Sequence, residues 1–426
     1  MKCTVEIFFD GCWRKAGFFE PDENQLDLGV SGSGRFDYDI DYAVQYIAQS
    51  YCQVGVRYPV NFELYRETSW PMFLLDLLPS GAGRRVWIKR LGLVDNEGAD
   101  WHLLLNGAGN PPGNLRIQEA SRRLLVDHPG FTKGDVVDRY EDFIEYAETN
   151  GALVAGATDV QGEAPKFLMN RDRRGRWHAD GALPDSEIEK FWLIKFPRGS
   201  TEQDRLILKN EAPYYEVARC FGLRVGEPLD YVDNSLFISR FDRSVKMEGR
   251  VERYGLETLA SSTALSSFGS YGSHLSFCQA IAKYSSFPDQ EILEYLMRDI
   301  LNVALRNTDN HGRNTALIKY PSGKVELSPL YDFAPMFLDH EGIARASRWD
   351  GELETEIGRP VWGRVAEALS VYVTKPEKIK IVLKRCALLV EKLPETMQQC
   401  GVDEFLIERL AGRIQVVSED LLDVGR

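Results

Sequence analysis

The sequence predicts an α+β protein, with a β-rich first part and a helical second part. Three observations lead there. Up to about residue 245, short runs of β-branched and aromatic residues recur between breaks rich in Gly, Asn and Pro. Beyond about residue 275, apolar residues recur at helical spacing. Pro288 opens the longest such stretch, with Ile292, Leu296, Ile300 and Ala304 on one face. Strands followed by helices are the α+β order.

Taken in order, Thr4–Phe9 followed by Asp10-Gly11 predicts a hairpin. Phe36–Tyr51 reads as a short strand and then a helix. The apolar run Phe73–Leu78 stops at Pro79-Ser80-Gly81. Leu103–Asn114, rich in Gly, Asn and Pro, is expected to be loop, and Leu115–Val126 and Glu141–Thr149 carry helical spacing. Phe167–Asn170 precedes the polar turn Arg171–Gly175. Phe191–Phe196 is an apolar strand interrupted by Lys195. Ser200 and Gln203 are spaced as a capping box. They predict a helix through Leu206, Tyr214, Val217, Ala218 and Phe221, stopped by Gly222. Leu236–Phe241 is another strand, and Ile381–Leu393 and Phe405–Ala411 are helical. The expected division is 1–150, a β-rich 151–245, and a helical 246–426.

Among 426 residues, 44% are hydrophobic and 27% charged, which excludes a disordered or fibrous chain. The formal net charge of -13 argues against a nucleic-acid coat or a polybasic membrane binder. The seven cysteines form no Cys-x-x-Cys pair, which argues against a disulfide framework or a zinc site. With no signal-peptide pattern and no apolar run of about 18 residues, a cytoplasmic protein that does not enter a membrane is expected.

The most informative stretch is Arg306–Asn314, at the end of the long apolar helix. Asp309 and Asn314 have the spacing of a kinase catalytic loop. Such an Asp orients the proton of an attacking hydroxyl, and such an Asn turns its carbonyl oxygen to Mg²⁺ on the ATP phosphates. By itself the spacing arises roughly once by chance in a chain of this size, and a polar helix C-cap is the plainer reading. Downstream, Leu327–Phe333 reads as a short strand ending at Asp332, placed to hold Mg²⁺ from the other side or to cap the turn before Pro335. Lys195, within an apolar strand, calls for a partner such as a phosphate, unless the strand lies at an edge and the ammonium reaches water. Glu211, or Glu216, on the following helix is a candidate partner for it.

Several motifs stand in one order: Phe73–Arg85, Asp159–Lys166, Leu193–Pro197, Asn210-Glu211, Ser239–Arg243, Asn307–Asn314 and Tyr331-Asp332-Phe333. Together they resemble the HipA family of bacterial toxin Ser/Thr kinases, whose kinase-like fold is distantly shared with phosphoinositide kinases. The resemblance implies a two-lobed kinase-like architecture with a β-rich N-terminal lobe and an all-helical C-terminal lobe. It implies Asp309 as catalytic base, and Asn314 and Asp332 as Mg²⁺ ligands. It places Lys195 and Lys166 on the ATP phosphates, under a loop containing Val160, Gln161 and Gly162. It places Ser239 and Phe241 at the adenine, with Asn210-Glu211 opening the helix after the lysine strand. His311 and Tyr331 would line the nucleotide site, or His311 would be satisfied by the loop backbone. The implied partners are a protein substrate, an aminoacyl-tRNA synthetase by analogy, and a separate DNA-binding antitoxin, with no direct nucleic-acid contact. Two positions depart from the family. Asp159 stands where a serine is commonly autophosphorylated, leaving Thr158 as an alternative acceptor. Ser239 replaces the usual Glu. Alternatives are a small-molecule phosphotransferase, against which Asn307 stands where that class has His, and a partner-binding pseudokinase.

Overall fold

The computed structural model describes residues 1–121, 128–139, 141–149, 165–265, 272–340 and 342–425. The chain divides into two interleaved compact units. One comprises residues 1–199, 232–268 and 318–324, and the other residues 200–231, 269–317 and 325–426.

The first unit opens with the expected hairpin, β1 (Cys3–Phe9) and β2 (Cys12–Pro21). Asp10 and Gly11 both have positive φ, 51° and 77°, the two-residue turn whose twist matches that of the flanking strands. β3 (Gly34–Tyr38) and α1 (Ile40–Tyr46) confirm the strand-then-helix reading. β4 (Tyr65–Glu67) follows, then α2 (Gly81–Leu91) and α3 (Asp100–Gly107). The last corrects the expected loop over Leu103–Asn114. Its Leu103 and Leu104 are buried, and that burial outweighs the local loop composition. Leu115–Val126 also begins differently, as the strand β5 (Leu115–Ile117), because Val5, Glu6 and Ile7 of β1 offer it a pairing edge. The sheet order is β4-β3-β2-β1-β5. β1 is buried along its whole length, over a core with Phe19, Phe36, Trp70, Phe73 and Trp101.

Short helices α4 (Gln118–Ser121), α5 (Lys133–Val137) and α6 (Glu141–Thr149) lead to β6 (Lys166–Asp172), β7 (Trp177–Ala179) and β8 (Ile188–Lys195). After α7 (Glu202–Phe221), the strands β9 (Asp230–Val232) and β10 (Ser235–Ser239) and the helix α8 (Leu259–Ser262) follow. β8 lies between β6 and β10, antiparallel to both, and so is an interior strand. Phe167, Met169, Trp177, Ile194, Phe196 and Phe237 fill the core beneath it.

The second unit is mainly helical, with α7, α9 (His274–Tyr284), α10 (Pro288–Leu305), α11 (Trp362–Leu369), α12 (Glu377–Glu391), α13 (Leu393–Gln399) and α14 (Glu404–Leu422). It is not all-helical: short strands lie at Gly272–Ser273, Val325–Leu327 and Ser347–Arg348, the first and last paired in parallel. The capping box of α7 sits one residue later than its spacing predicts. Thr201 accepts from the Asp204 N–H, and the Asp204 carboxylate accepts from the Thr201 N–H. Asp at this position closes the same ring that Gln203 was expected to close. Gly222 ends α7 at φ 95°. Asn210-Glu211 lies inside α7 and does not open it. Asn210 is buried there because it is used across the unit: its Nδ2 donates to Asp403 Oδ2 at 2.7 Å, and its Oδ1 accepts the Asp403 N–H at 3.0 Å. α10 packs against α9, α12 and α14. Among the described residues no helix is long and apolar enough to cross a membrane.

Candidate active site

The loop after α10 is built by the way that helix ends. Arg306 takes a left-handed conformation, φ 53°, and the Asn307 N–H donates to the Asn302 carbonyl at 3.0 Å. Asn307 Nδ2 donates to Asn302 Oδ1 at 2.9 Å. Arg306 and Asn307 therefore cap the helix, and Asp309 is released from the capping role that was the plainer reading of its spacing. Asp309 is 9% exposed. Its carbonyl accepts from Asn314 Nδ2 at 2.7 Å, so the amide of Asn314 is fixed by the residue five positions before it. That bond leaves Asn314 Oδ1 buried with no protein hydrogen-bond partner. An orphaned carbonyl-type oxygen beside a carboxylate suits a hard cation.

The second acid is placed by α7. The Leu330 N–H donates to the Arg224 carbonyl at 2.8 Å, and Tyr331 Oη donates to the Arg313 carbonyl at 2.6 Å. Asp332 then turns into the left-handed region, φ 56°, and its N–H donates to Tyr215 Oη at 2.8 Å. The neighbouring Tyr214 ring packs 5.5 Å from Phe333. Two adjacent tyrosines thus grip the Asp332-Phe333 pair. Burial pushes the Tyr215 phenol well up, with Glu211 and Asp332 adding to it, so it stays neutral. A non-glycine residue at positive φ stores strain of order 1 kcal/mol and persists only where its surroundings hold it, as they do here.

Asn314 and Asp332 line one polar cavity of about 20 Å³, with Asn307, Asn310, His274 and Asp299. That is room for about one water or one small cation. Asp309 and His311 do not line it. His311 Nε2 stands 3.4 Å from Asp309 Oδ1, and neither ring nitrogen makes a protein hydrogen bond, so the loop backbone does not satisfy this histidine. Among the described residues no three His, Cys, Asp or Glu side chains converge as a metal site. A Mg²⁺ ion here would complete its shell from phosphate oxygens and water, as this ion commonly does.

Sequence reasoning missed the support under this loop. His274 Nδ1 lies 2.7 Å from Tyr295 Oη, and its Nε2 lies 3.3 Å from Asp299 Oδ1. Asp299 Oδ2 accepts from Trp349 Nε1 at 2.7 Å, and Asn310 Oδ1 accepts the Ser347 N–H at 3.2 Å. Burial holds the His274 imidazole below its usual range, against the pull of Asp299. The density of asparagines from Asn302 to Asn314 was the available signal.

In the first unit, Lys195 is 3% exposed at the end of the interior strand β8, so the edge-strand reading is wrong. Its direct cross-strand neighbour on β6 is Lys166. Val160, Gln161, Gly162, Thr158 and Asp159 lie outside the described residues. Ser239 closes β10 opposite Trp192, and Phe241 follows it half-buried. The charged residues of the Ser239–Arg243 motif go inward. Arg240 Nε donates to Asp242 Oδ1 at 2.8 Å, Arg243 Nη1 donates to Asp180 Oδ2 at 2.8 Å, and the Gly113 N–H donates to Asp242 Oδ2 at 2.8 Å. Burial raises the Asp242 carboxyl, but Arg240 and Arg243 outweigh it and hold it well below the usual carboxylate range. Asp180 is lowered too, by Arg243 and Arg240 against its own burial. A depressed folded-state pKa contributes stability that is present above the unfolded value of 3.8 and lost as pH falls below it. Thermal melts from pH 7 to pH 3 are expected to show a steep loss beginning near pH 4, reduced in Asp242→Asn.

The HipA complex of Shewanella oneidensis, solved with HipB and operator DNA, gives a TM-score of 0.64 at 18% identity. The match covers 99% of this chain and 96% of that one, which shows a shared fold. The Helicobacter pylori proinflammatory kinase CtkA gives a TM-score of 0.37 at 14% identity, over 63% of this chain and 94% of that one. No curated protein matches the sequence. The family model of the HipA-like C-terminal domain matches residues 158–415, well over half the chain, and the protein belongs to that family.

Proposed function

We propose that this protein is an ATP- and Mg²⁺-dependent Ser/Thr protein kinase of toxin–antitoxin type, acting on a protein target and on itself. The observation that carries the reading is Asn314. Its amide nitrogen is fixed on the Asp309 carbonyl, and its buried oxygen has no protein partner in the cavity it shares with Asp332. In this reading Asp309 orients the substrate hydroxyl and accepts its proton. Asn314 Oδ1 and the Asp332 carboxylate hold Mg²⁺, which when bound neutralises the phosphate oxygens. By the family resemblance, Lys195 and Lys166 take the phosphates through charge-assisted hydrogen bonds. Ser239 and Phe241 hold the adenine.

The HipA of Shewanella oneidensis was solved with HipB and operator DNA. By that likeness a separate DNA-binding protein is the expected partner, which fits a chain whose own charge is -13.

The test is transfer of labelled γ-phosphate, with Mg²⁺, to the protein and to proteins of a cell extract, wild type beside Asp309→Ala. Label lost in the variant supports a protein kinase. Nucleotide binding with no label anywhere overturns it. Lys195→Met is expected to weaken ATP binding at least tenfold, the effect of losing one charge-assisted contact of about 1.5–3 kcal/mol. Titration calorimetry with a non-hydrolysable ATP analogue reads this directly.

A further inference from the structure

Away from the candidate active site, the second unit brings two thiols together. Cys220 is the penultimate residue of α7, and Cys400 caps the end of α13. They are 180 positions apart in sequence, yet their sulfurs lie 4.0 Å apart. Cys220 is exposed and Cys400 half-buried. The other thiols differ: Cys3, Cys52, Cys278 and Cys386 are buried, and the exposed Cys12 Sγ donates to the Phe9 carbonyl at 3.8 Å. We propose that Cys220 and Cys400 form an oxidation site that closes to a disulfide when the protein meets a hydroperoxide.

The roles follow from exposure. A hydroperoxide reaches Cys220 first. Its thiolate attacks the peroxide, the O–O bond breaks, water or an alcohol leaves, and Cys220 becomes a sulfenic acid. Cys400 is the resolving thiol. Burial, with Cys220 and Glu216 adding to it, pushes its pKa to about 11, so it is poorly ionised and a poor first target. It gives up its proton as its sulfur attacks that of Cys220. The S–S bond forms, the S–O bond breaks, and hydroxide leaves with that proton as water. The two sulfurs lose two electrons in all, and the peroxide oxygens gain them. From 4.0 Å, the sulfurs must approach to about 2.0 Å. Both sit at helix ends, where side-chain rotation can supply that movement.

The bond would add a covalent tie to a junction already held by polar contacts. Lys209 Nζ pairs with Asp403 at 2.9 Å, and Asn210 bonds to the same residue, three positions after Cys400. A cross-link spanning this long loop restricts the unfolded chain strongly.

The experiment treats the folded full-length protein with hydrogen peroxide, quenches with an alkylating agent, and reads intact mass and peptides without reduction. The expected result is a loss of two hydrogens, a Cys220–Cys400 linked peptide in monomeric protein, and a melting temperature raised by several degrees and restored by reduction. Cys400→Ser is expected to leave Cys220 as a sulfenic or sulfinic acid. Cys220→Ser is expected to leave Cys400 unmodified. The proposal is overturned if Cys220 is over-oxidised or cross-linked between molecules while Cys400 stays alkylatable, or if both thiols survive while Cys12 is oxidised. Neither reading depends on kinase activity.

Discussion

Asp309→Asn is expected to lower phosphoryl transfer by about 10²–10⁴-fold, the range for a lost general base. The melting temperature should be unchanged. The loop does not rest on the Asp309 carboxylate for its anchor to Asn314. The Asp309 main-chain carbonyl holds Asn314, and Asn307 and Asn310 hold the two flanks, so the isosteric amide keeps the geometry and loses the base. Asp332→Asn should fail differently. Its backbone bond to Tyr215 survives, but the carboxylate charge proposed to hold Mg²⁺ is gone, so the Mg²⁺ concentration for half-maximal rate should rise sharply. Initial rates against Mg²⁺, with melts of each variant, separate the two roles. Undiminished turnover in both variants would overturn the assignment.

The largest expected effect on stability lies at Asp242. Asp242→Ala should destabilise the first unit by about 3–5 kcal/mol, because it leaves Arg240 and Arg243 buried with half their counter-charge. An exposed pair gives the contrast. Arg171 and Glu189 sit 2.9 Å apart, but Glu189 is 44% exposed, so Glu189→Ala should cost under about 1 kcal/mol. Urea unfolding followed by hydrogen exchange in β10 distinguishes the two.

What could be read from sequence was what is local. The β1–β2 turn, the β8 strand and α10 each follow from a dipeptide, an apolar run or a helical period. The readings that failed turn on distant partners. Leu115–Ile117 is a strand because β1 is there to pair with it. Lys195 lies in an interior strand because β10 arrives some forty residues later to cover it, and no periodicity announces that. The loop Asp309–Asn314 was legible as spacing. The orphaned oxygen of Asn314 was not, since it depends on where the Asp309 carbonyl points. His274 and Asp299 were invisible because nothing in their own neighbourhoods marks them.

The bond between Asn210 and Asp403 also has a meaning in time. The two residues are 193 positions apart. At about 5–20 residues per second, a ribosome needs about 10–40 s to make that interval. Through that interval α7 exists without the partner that ties down its middle, and for most of it without Asp332, which its Tyr215 later holds. A chain released early, or paused, carries the Asp309–Asn314 loop without the helix end that secures α7. If the proposed function holds, that order of synthesis is a delay between the making of the chain and its activity, written into the sequence.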